Sequence, residues 1–304
     1  MIERLPDFLI VGAAKAGTTS LYYYLKEHPD IFLPAVKEPK YISSQIVRYP
    51  FKGFGDEVVE QGIIKNLKEY ARLFSGVKRE KRVGEASADN LYYYQTTGVI
   101  KKILYNPTII ILLRNPVERA FSAYTHLVRD DREPLSFEKG LEVERDRQEQ
   151  NWEFIWFYKD VGLYYEQVKA YLENFDHVKI YLFDDLKNNT LKVVQDVYRF
   201  LEVDDSFIPS SIQEKFNVSG VPKNIIFHRF LRRDNLFKKS IRPVIRAMMP
   251  NANARRELKN RLLRSNLKKP EMNSATRQYL IDFFREDILK LQELIDMDLS
   301  SWLK

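Results

Sequence analysis

The chain has 304 residues, 44% hydrophobic and 13% aromatic, which is enough apolar material for a buried core and too much for a disordered polymer. It has no Cys and only four scattered His, which excludes disulfides, a Cys nucleophile and a thiolate metal site and argues against zinc. The formal charge of +7 is uneven: residues 223–269 hold 15 Lys or Arg against Asp234 and Glu257, leaving a mildly acidic body.

No basic-then-apolar leader precedes the first element, and no apolar run approaches the ~20 residues that span a bilayer. A soluble cytoplasmic protein is therefore expected. Phe8-Leu9-Ile10-Val11 is a short apolar run of the kind that forms a buried strand. Gly12 to Gly17 follows, small residues around Lys15, and Thr18-Thr19-Ser20 opens a helical pattern that ends near His28-Pro29. A strand turning tightly into a helix N-terminus presents free N–H groups at the positive end of a dipole, which suits an anion. Lys15 adds a point charge and the three hydroxyls can donate, so the stretch reads as a phosphate cradle. The plainer alternative is a ligand-free turn, since Gly-rich turns are common. It is not a Walker loop: Gly12 and Gly17 have that separation, but residue 18 is threonine and the lysine sits inside the loop.

Ile31 to Leu33 is expected to be extended, Val36 to Tyr41 a charged turn, 48–62 a surface loop and 64–74 a helix. Arg82 to Glu85 is a candidate strand and 97–105 a short helix. Thr108 to Leu113 is a fully apolar, β-branched run of central parallel-strand type. It ends at Arg114-Asn115-Pro116, and Val117 to Arg129 continues as a helix with Pro near its start. Residues 130–150 are strongly charged and read as a solvated, mostly helical excursion. Helices over 162–175 and 186–201 flank a strand at 178–183; 203–222 lack periodicity, and 276–294 is a final amphipathic helix. Strands alternating with helices imply βαβ units and a mostly parallel sheet. In such a sheet ligands bind off the carboxyl ends of the strands, which is where Arg114 falls; Ser122, six residues past Pro116, can reach the same ligand.

Two anion-binding units in one sheet suggest a ligand with separated phosphates. A nucleoside triphosphatase places an aspartate for Mg²⁺ where Arg114 stands, so a metal-free nucleotide with two phosphate groups fits better than ATP-Mg. At these residues the chain resembles the sulfotransferases that use 3′-phosphoadenosine 5′-phosphosulfate (PAPS), closest to the heparan-sulfate-type and bacterial carbohydrate branch. Phe8 to Leu25 resembles that family's 5′-phosphosulfate loop, and Arg114-Asn-Pro-x-x-Arg119-x-x-Ser122-x-Tyr124 its 3′-phosphate motif. Glu85-Ala-Ser87 with Tyr92-Tyr93, Gly162-x-Tyr164 and the ending Asp298-Leu-Ser-Ser-Trp302 also match, while 225–270 are dissimilar.

The resemblance implies an α/β, P-loop-NTPase-like three-layer fold with a central, mostly parallel sheet flanked by helices. It implies one domain over 1–304, with a core at 5–203 and a basic helical segment, 223–304, packed on it. It further implies that Lys15 binds the phosphosulfate and supports the bridging oxygen. The N–H groups of Ala16, Gly17, Thr18 and Thr19, with the Thr18, Thr19 and Ser20 hydroxyls, would hold the 5′-phosphate; Arg114 and Ser122 would hold the 3′-phosphate. The donor would be PAPS, the product 3′-phosphoadenosine 5′-phosphate (PAP), and no metal would be required. Arg119, five residues past Arg114, is off that helical face and reads as a structural ion-pair partner.

A hydroxyl acceptor needs a base, and in the heparan-type branch a glutamate after the first helix and short strand serves; Glu38 in Lys37-Glu38-Pro39 fits. Many relatives have His after Glu-Pro; this chain has Lys40, which either assists Lys15 or lowers the Glu38 pKa. The alternative for Glu38 is a surface carboxylate in an ion pair. Glu85 either faces the acceptor or pairs internally, His28 caps its helix end, and His126 is structural though near the cleft. Lys223, in Asn217 to Lys223, is the local candidate for the family's late nucleotide-covering loop. The basic segment 223–269, with Phe230, Leu231, Phe237, Ile241, Val244, Ile245, Met248 and Met249 interleaved, is a solvated surface, an attractor for a polyanionic acceptor, or a contact with an anionic membrane. No motif supports nucleic-acid binding. The expected function is sulfuryl transfer from PAPS to a hydroxyl or amine of a small-molecule or glycan acceptor. The alternatives are a P-loop kinase and a non-catalytic nucleotide-binding protein.

Overall fold

The two apolar runs become the two inner strands of one parallel sheet. In the computed structural model, which describes residues 4–214, 220–224, 227–229, 251, 255, 262–263, 265–268 and 270–304, five strands pair in the order β2-β3-β1-β4-β5. They are β1 Phe8–Gly12, β2 Ile31–Phe32, β3 Arg82–Ala86, β4 Thr108–Leu113 and β5 Val178–Leu182, and every pair is parallel. Phe8 to Val11 and Ile109 to Leu113 are 0% exposed. Successive strand residues point to opposite faces, so complete burial means that both faces are covered. Each such aliphatic side chain stabilises the fold by about 1.5–3 kcal/mol.

Strand β1 approaches its neighbours closely. A Cβ added at Gly84 of β3 would lie 2.0 Å from the Phe8 ring, so that strand can pass Phe8 only as glycine. The β1–β4 register shifts between Ile10 and Gly12, where the chain leaves the sheet for the loop that precedes α1, Thr18–Lys26. Helices α2 Tyr41–Ser44, α3 Asp56–Glu60 and α4 Leu67–Arg72 lie between β2 and β3, and α5 Thr96–Leu104 between β3 and β4. After β4 comes α6, Pro116–Arg129, with the Asn115 side chain accepting from Val117 N–H at 3.0 Å and Pro at the first helical position. Helices α7 Phe137–Glu142, α8 Glu144–Glu149 and α9 Tyr164–Asn174 lead to β5, followed by α10 Phe183–Asn188 and α11 Thr190–Phe200. A two-stranded antiparallel ribbon, β6 Val221–Pro222 with β7 Leu267–Lys268, packs by α6.

The last helix, α12 Ser274–Ile295, buries Leu280, Ile281, Phe284, Ile288 and Leu291 against α9 and α6, a helical-period stripe. It brings distant motifs together. Gly162 lies where a Cβ would sit 2.8 Å from the Phe284 ring, Asp287 caps α9 by accepting from Tyr164 N–H at 2.8 Å, and Trp302 meets Tyr164 with ring centroids 6.4 Å apart. Among the described residues no helix is long and apolar enough to cross a membrane.

Three expectations need correction. Residues 130–150 are not simply solvated: Arg147 and Glu133 form an ion pair at 2.8 Å with side chains 3% and 0% exposed. Tyr158 donates to the same glutamate at 2.5 Å, and Arg147 lies over the Trp152 and Trp156 rings, so this charge is internal and matched. The surface loop 48–62 contains α3, whose Asp56 is fully buried. The helix expected over 186–201 is two helices meeting at Asn189, which is neither helical nor β in conformation.

Candidate active site

The carboxyl ends of the strands hand the chain to one cavity of about 660 Å³. Its walls include Ala14, Lys15 and Gly17 to Ser20 after β1, Val36, Lys37, Glu38 and Lys40 after β2, Arg114, Ser122 and His126 after β4, and Phe183 after β5, closed by Arg132 and Glu153 to Ile155.

On one side the start of α1 and two cations, Lys15 and Arg114, face the cavity. Gly17 caps α1 at φ 94°, and a Cβ there would lie 3.0 Å from the Phe183 ring, so glycine is required on both conformational and steric grounds. Leu21 N–H makes the first helical bond, to the Gly17 carbonyl at 3.2 Å. The N–H groups of Gly17, Thr18, Thr19 and Ser20 have no acceptor among the described residues and open on the cavity. Lys15, in the left-handed region at φ 72°, has no ion pair or hydrogen bond to its ammonium among the described residues. Burial pulls its pKa down to about 7, the Arg129 guanidinium pushes the same way, Asp130 opposes, and Arg114 adds to the depression. Arg114 donates to the Lys15 carbonyl at 3.1 Å and lies over the Phe183 ring with its guanidinium carbon 4.7 Å from the centroid; Glu118 is 4.0 Å away.

Ser122 and His126 reach the same wall from successive turns of α6. Arg129 approaches His126 Nδ1 at 2.6 Å, which assigns the ring proton to Nε2. Burial and then Lys15 press the His126 pKa down to about 3, so the imidazole is neutral, with Nε2 3.9 Å from Asp130 Oδ2.

On the other side the cations are paired. The Lys37 ammonium bonds Glu38 directly. Lys40 pairs with Glu153 at 3.0 Å, and Arg132 reaches Asp56 and, at 3.7 Å, Glu153. Asp56 is itself fixed by Gly53 N–H, Glu153 N–H and the Trp156 indole, each at 2.9 Å. Burial raises the Glu38 pKa, but Lys37, Lys40 and Lys15 outweigh it, and the carboxyl sits below its ordinary value. Lys40 is pushed up by Glu153, Asp89 and Glu38 against the opposing effect of burial and stays charged. Glu38 and Lys40 are both left-handed, at φ 57° and 53°. Such non-glycine conformations cost about 1–3 kcal/mol each and persist where surrounding contacts over-determine them.

Of the residues singled out in the sequence, Lys15, Gly17, Thr18, Thr19, Ser20, Glu38, Lys40, Arg114 and Ser122 meet at this cavity. Ala16 does not: it is 0% exposed and its N–H is spent on the Ala13 carbonyl at 3.1 Å. Glu85 is buried and does not line the cavity, and among the described residues it makes no salt bridge. Lys223 lies on the β6–β7 ribbon, its ammonium donating to the Ser265 carbonyl at 3.0 Å, and is not in the wall; Asn217 to Ser219 lie outside the described residues. Arg119 is fully buried and donates to the Tyr158 carbonyl rather than to a carboxylate. His28 accepts from Asp30 N–H at 3.0 Å and meets the Asp204 carbonyl at 2.9 Å, a loop clamp and not a helix cap. Phe230, Leu231, Phe237, Ile241, Val244, Ile245, Met248 and Met249 of the basic segment lie outside the described residues.

Sequence reasoning did not select Arg132, Glu153, Phe154 or Phe183. Ser122, His126 and Arg129 recur at helical spacing on α6, which is a readable signal. Glu153, 113 residues from its partner Lys40, carries none.

The sulfotransferase domain profile matches residues 5–286. A sulfotransferase from Alicyclobacillus acidocaldarius, known by crystal structure, is 36% identical with a TM-score of 0.78, covering 99% of this chain and 100% of that one. The membrane-associated sulfotransferase kil1 of Dictyostelium discoideum is 34% identical over 148 residues, 47% of this chain and 28% of the relative. Human carbohydrate sulfotransferase 15 is 28% identical over 175 residues, 46% of this chain and 30% of the relative. These alignments thus span less than a third of either curated relative. With a P-loop-like parallel sheet and a domain profile matched over nearly its whole length, the chain belongs to the sulfotransferase domain family.

Proposed function

We propose that this chain moves a sulfuryl group from PAPS to a hydroxyl or amine of a glycan-like acceptor and releases PAP. The observation that carries the reading is the meeting, in one cavity, of Lys15, Arg114, Glu38 and the Gly17–Ser20 N–H groups, which have no acceptor among the described residues. The glycan class rests on similarity to a relative named a carbohydrate sulfotransferase. The donor set fits an adenosine bisphosphate: one cradle of backbone N–H groups, one guanidinium held over a ring, and a lysine with no carboxylate partner among the described residues.

When bound, PAPS supplies the sulfur–oxygen bond that breaks and an anionic leaving group. The N–H groups of Gly17 to Ser20 and the Thr18 and Thr19 hydroxyls hold the 5′-phosphate. Arg114 and Ser122 hold the 3′-phosphate. Lys15 neutralises charge growing on the bridging oxygen, an electrostatic role strengthened by burial. Glu38 takes the acceptor's proton as the acceptor oxygen or nitrogen joins sulfur in line with the departing phosphate. Lys37 and Lys40 keep Glu38 ionised at neutral pH, available as a base at some cost in basicity.

Two other readings are weaker. A kinase lacks support because threonine stands in the Walker lysine position and Arg114 where a metal-binding aspartate belongs. A non-catalytic nucleotide binder leaves Glu38 without a purpose. Calorimetry separates them: PAP binds tightly with EDTA present, and binding is weakened in Lys15→Ala and Arg114→Ala. Preference for ATP-Mg overturns the assignment.

A further inference from the structure

The loop that carries Glu38 and Lys40 is gripped from behind by the carboxyl end of β3. Ser87 Oγ donates to Glu85 Oε1 at 2.5 Å and accepts the Lys40 N–H at 3.1 Å. Between them, the Ala86 carbonyl accepts the Glu38 N–H at 3.0 Å. Thus Glu85-Ala86-Ser87 holds the backbone of both left-handed residues, while their side chains line the cleft. A second bond restrains the far end: Ser43 Oγ lies 2.7 Å from Asp89 Oδ2 and 3.1 Å from the Lys40 carbonyl. A hydroxyl has one hydrogen. With that of Ser87 spent on Glu85, the oxygen's lone pairs face Lys40, so the carboxyl sets the direction of the bond that fixes the loop.

We propose that Glu85 is a positioning residue for this site: through Ser87 it fixes the left-handed loop that aims Glu38 and Lys40 into the cleft. The inference rests on the reading of Glu38 as the base. It gives a purpose to a buried carboxyl that does not line the cleft and has no cation partner among the described residues. Burial raises the Glu85 pKa to about 8, with the Ser87 bond opposing and Asp89 and Glu38 adding. Near neutral pH the group is therefore protonated, and the acceptor oxygen is supplied without a second negative charge behind the base.

The test is carbon-13 NMR titration of the Glu38 carboxyl, assigned by its loss in Glu38→Gln, alongside calorimetry with PAP. The titratable groups around Glu38 are Lys37, Lys40 and Lys15, with Glu85 and Asp89 behind it. In Ser87→Ala and Glu85→Ala the loop loses its fixed shape, Glu38 parts from Lys40 and Lys15, and the Glu38 pKa rises toward the ordinary carboxylate value. Glu85→Gln, which keeps an acceptor oxygen for Ser87, leaves it in place. PAP affinity is unchanged throughout, because the cradle lies on β1–α1 and α6. Folded Ser87→Ala protein with Glu38 titrating as in the parent overturns the proposal. Ser87→Ala removes a single oxygen and so keeps the test open even where Glu85→Ala does not fold. Failure of the nucleotide reading shows separately, as absence of PAP binding by the parent chain, and leaves the titration result intact.

Discussion

The two sides of the cleft hold similar numbers of cations and treat them in opposite ways. On the β1–β4 side, Lys15 has no ion pair among the described residues, and Arg114 has only a 4.0 Å contact with Glu118. On the β2 side, Lys37, Lys40 and Arg132 are each matched to Glu38, Glu153 or Asp56. An unmatched, partly desolvated cation carries a free-energy cost that an incoming anion relieves, so it is poised for a ligand. A matched one has little left to offer a polyanion but can hold a carboxylate in place and in its ionised form. On the function proposed above, the first side binds and the second aims.

Separate substitutions on the two sides sharpen that contrast. The largest expected effect is Glu38→Gln: sulfuryl transfer falls about 10²–10⁴-fold, the usual contribution of a positioned general base. Single-turnover assays with labelled PAPS read it, and PAP affinity measured by calorimetry stays near the parent value. Loss of PAP binding in the same variant breaks the division of labour. Next is Arg114→Ala, which removes a charge-assisted contact of about 1.5–3 kcal/mol, or roughly 10- to 150-fold in PAP affinity. Adenosine 5′-phosphate, lacking the 3′-phosphate, binds both proteins alike. An equal loss for both nucleotides moves Arg114 off the 3′-phosphate.

The binding half of the site was legible because it is local. An apolar run, a Gly-flanked turn and a helix start specify the cradle within about fifteen residues, and Thr108 to Arg114 places a guanidinium at a strand end the same way. Ala16 shows the limit: its N–H belongs to the turn itself, a hydrogen bond that no residue pattern encodes. The aiming half is non-local. Lys40 finds Glu153, Arg132 finds Asp56, and Ser87 finds Lys40 only once the sheet has brought β2 beside β3. Residues 130–150 were misread for the same reason. Local composition reports that Glu133 and Arg147 are charged, but not that they neutralise one another beneath Trp152 and Trp156.

The smallest effect is also the most specific to the binding side. Lys15 has a free-state pKa depressed to about 7, chiefly by burial and then by Arg129. A bound phosphosulfate or PAP supplies the missing countercharge and raises that value. Below pH 7 the ammonium is already charged and binding takes up no proton. Above it, the free protein has lost the proton that the complex requires, so binding takes one up and affinity falls by up to about tenfold per pH unit until the pKa of the complex is passed. Calorimetry of PAP in two buffers of different ionisation enthalpy measures this: proton uptake near zero at pH 6, rising toward one at pH 8, and absent in Lys15→Met. His126, pressed down to about 3, stays neutral across that range and adds nothing to the uptake. Uptake that persists in Lys15→Met places the titrating group elsewhere and removes the unmatched lysine from the contrast between the two sides.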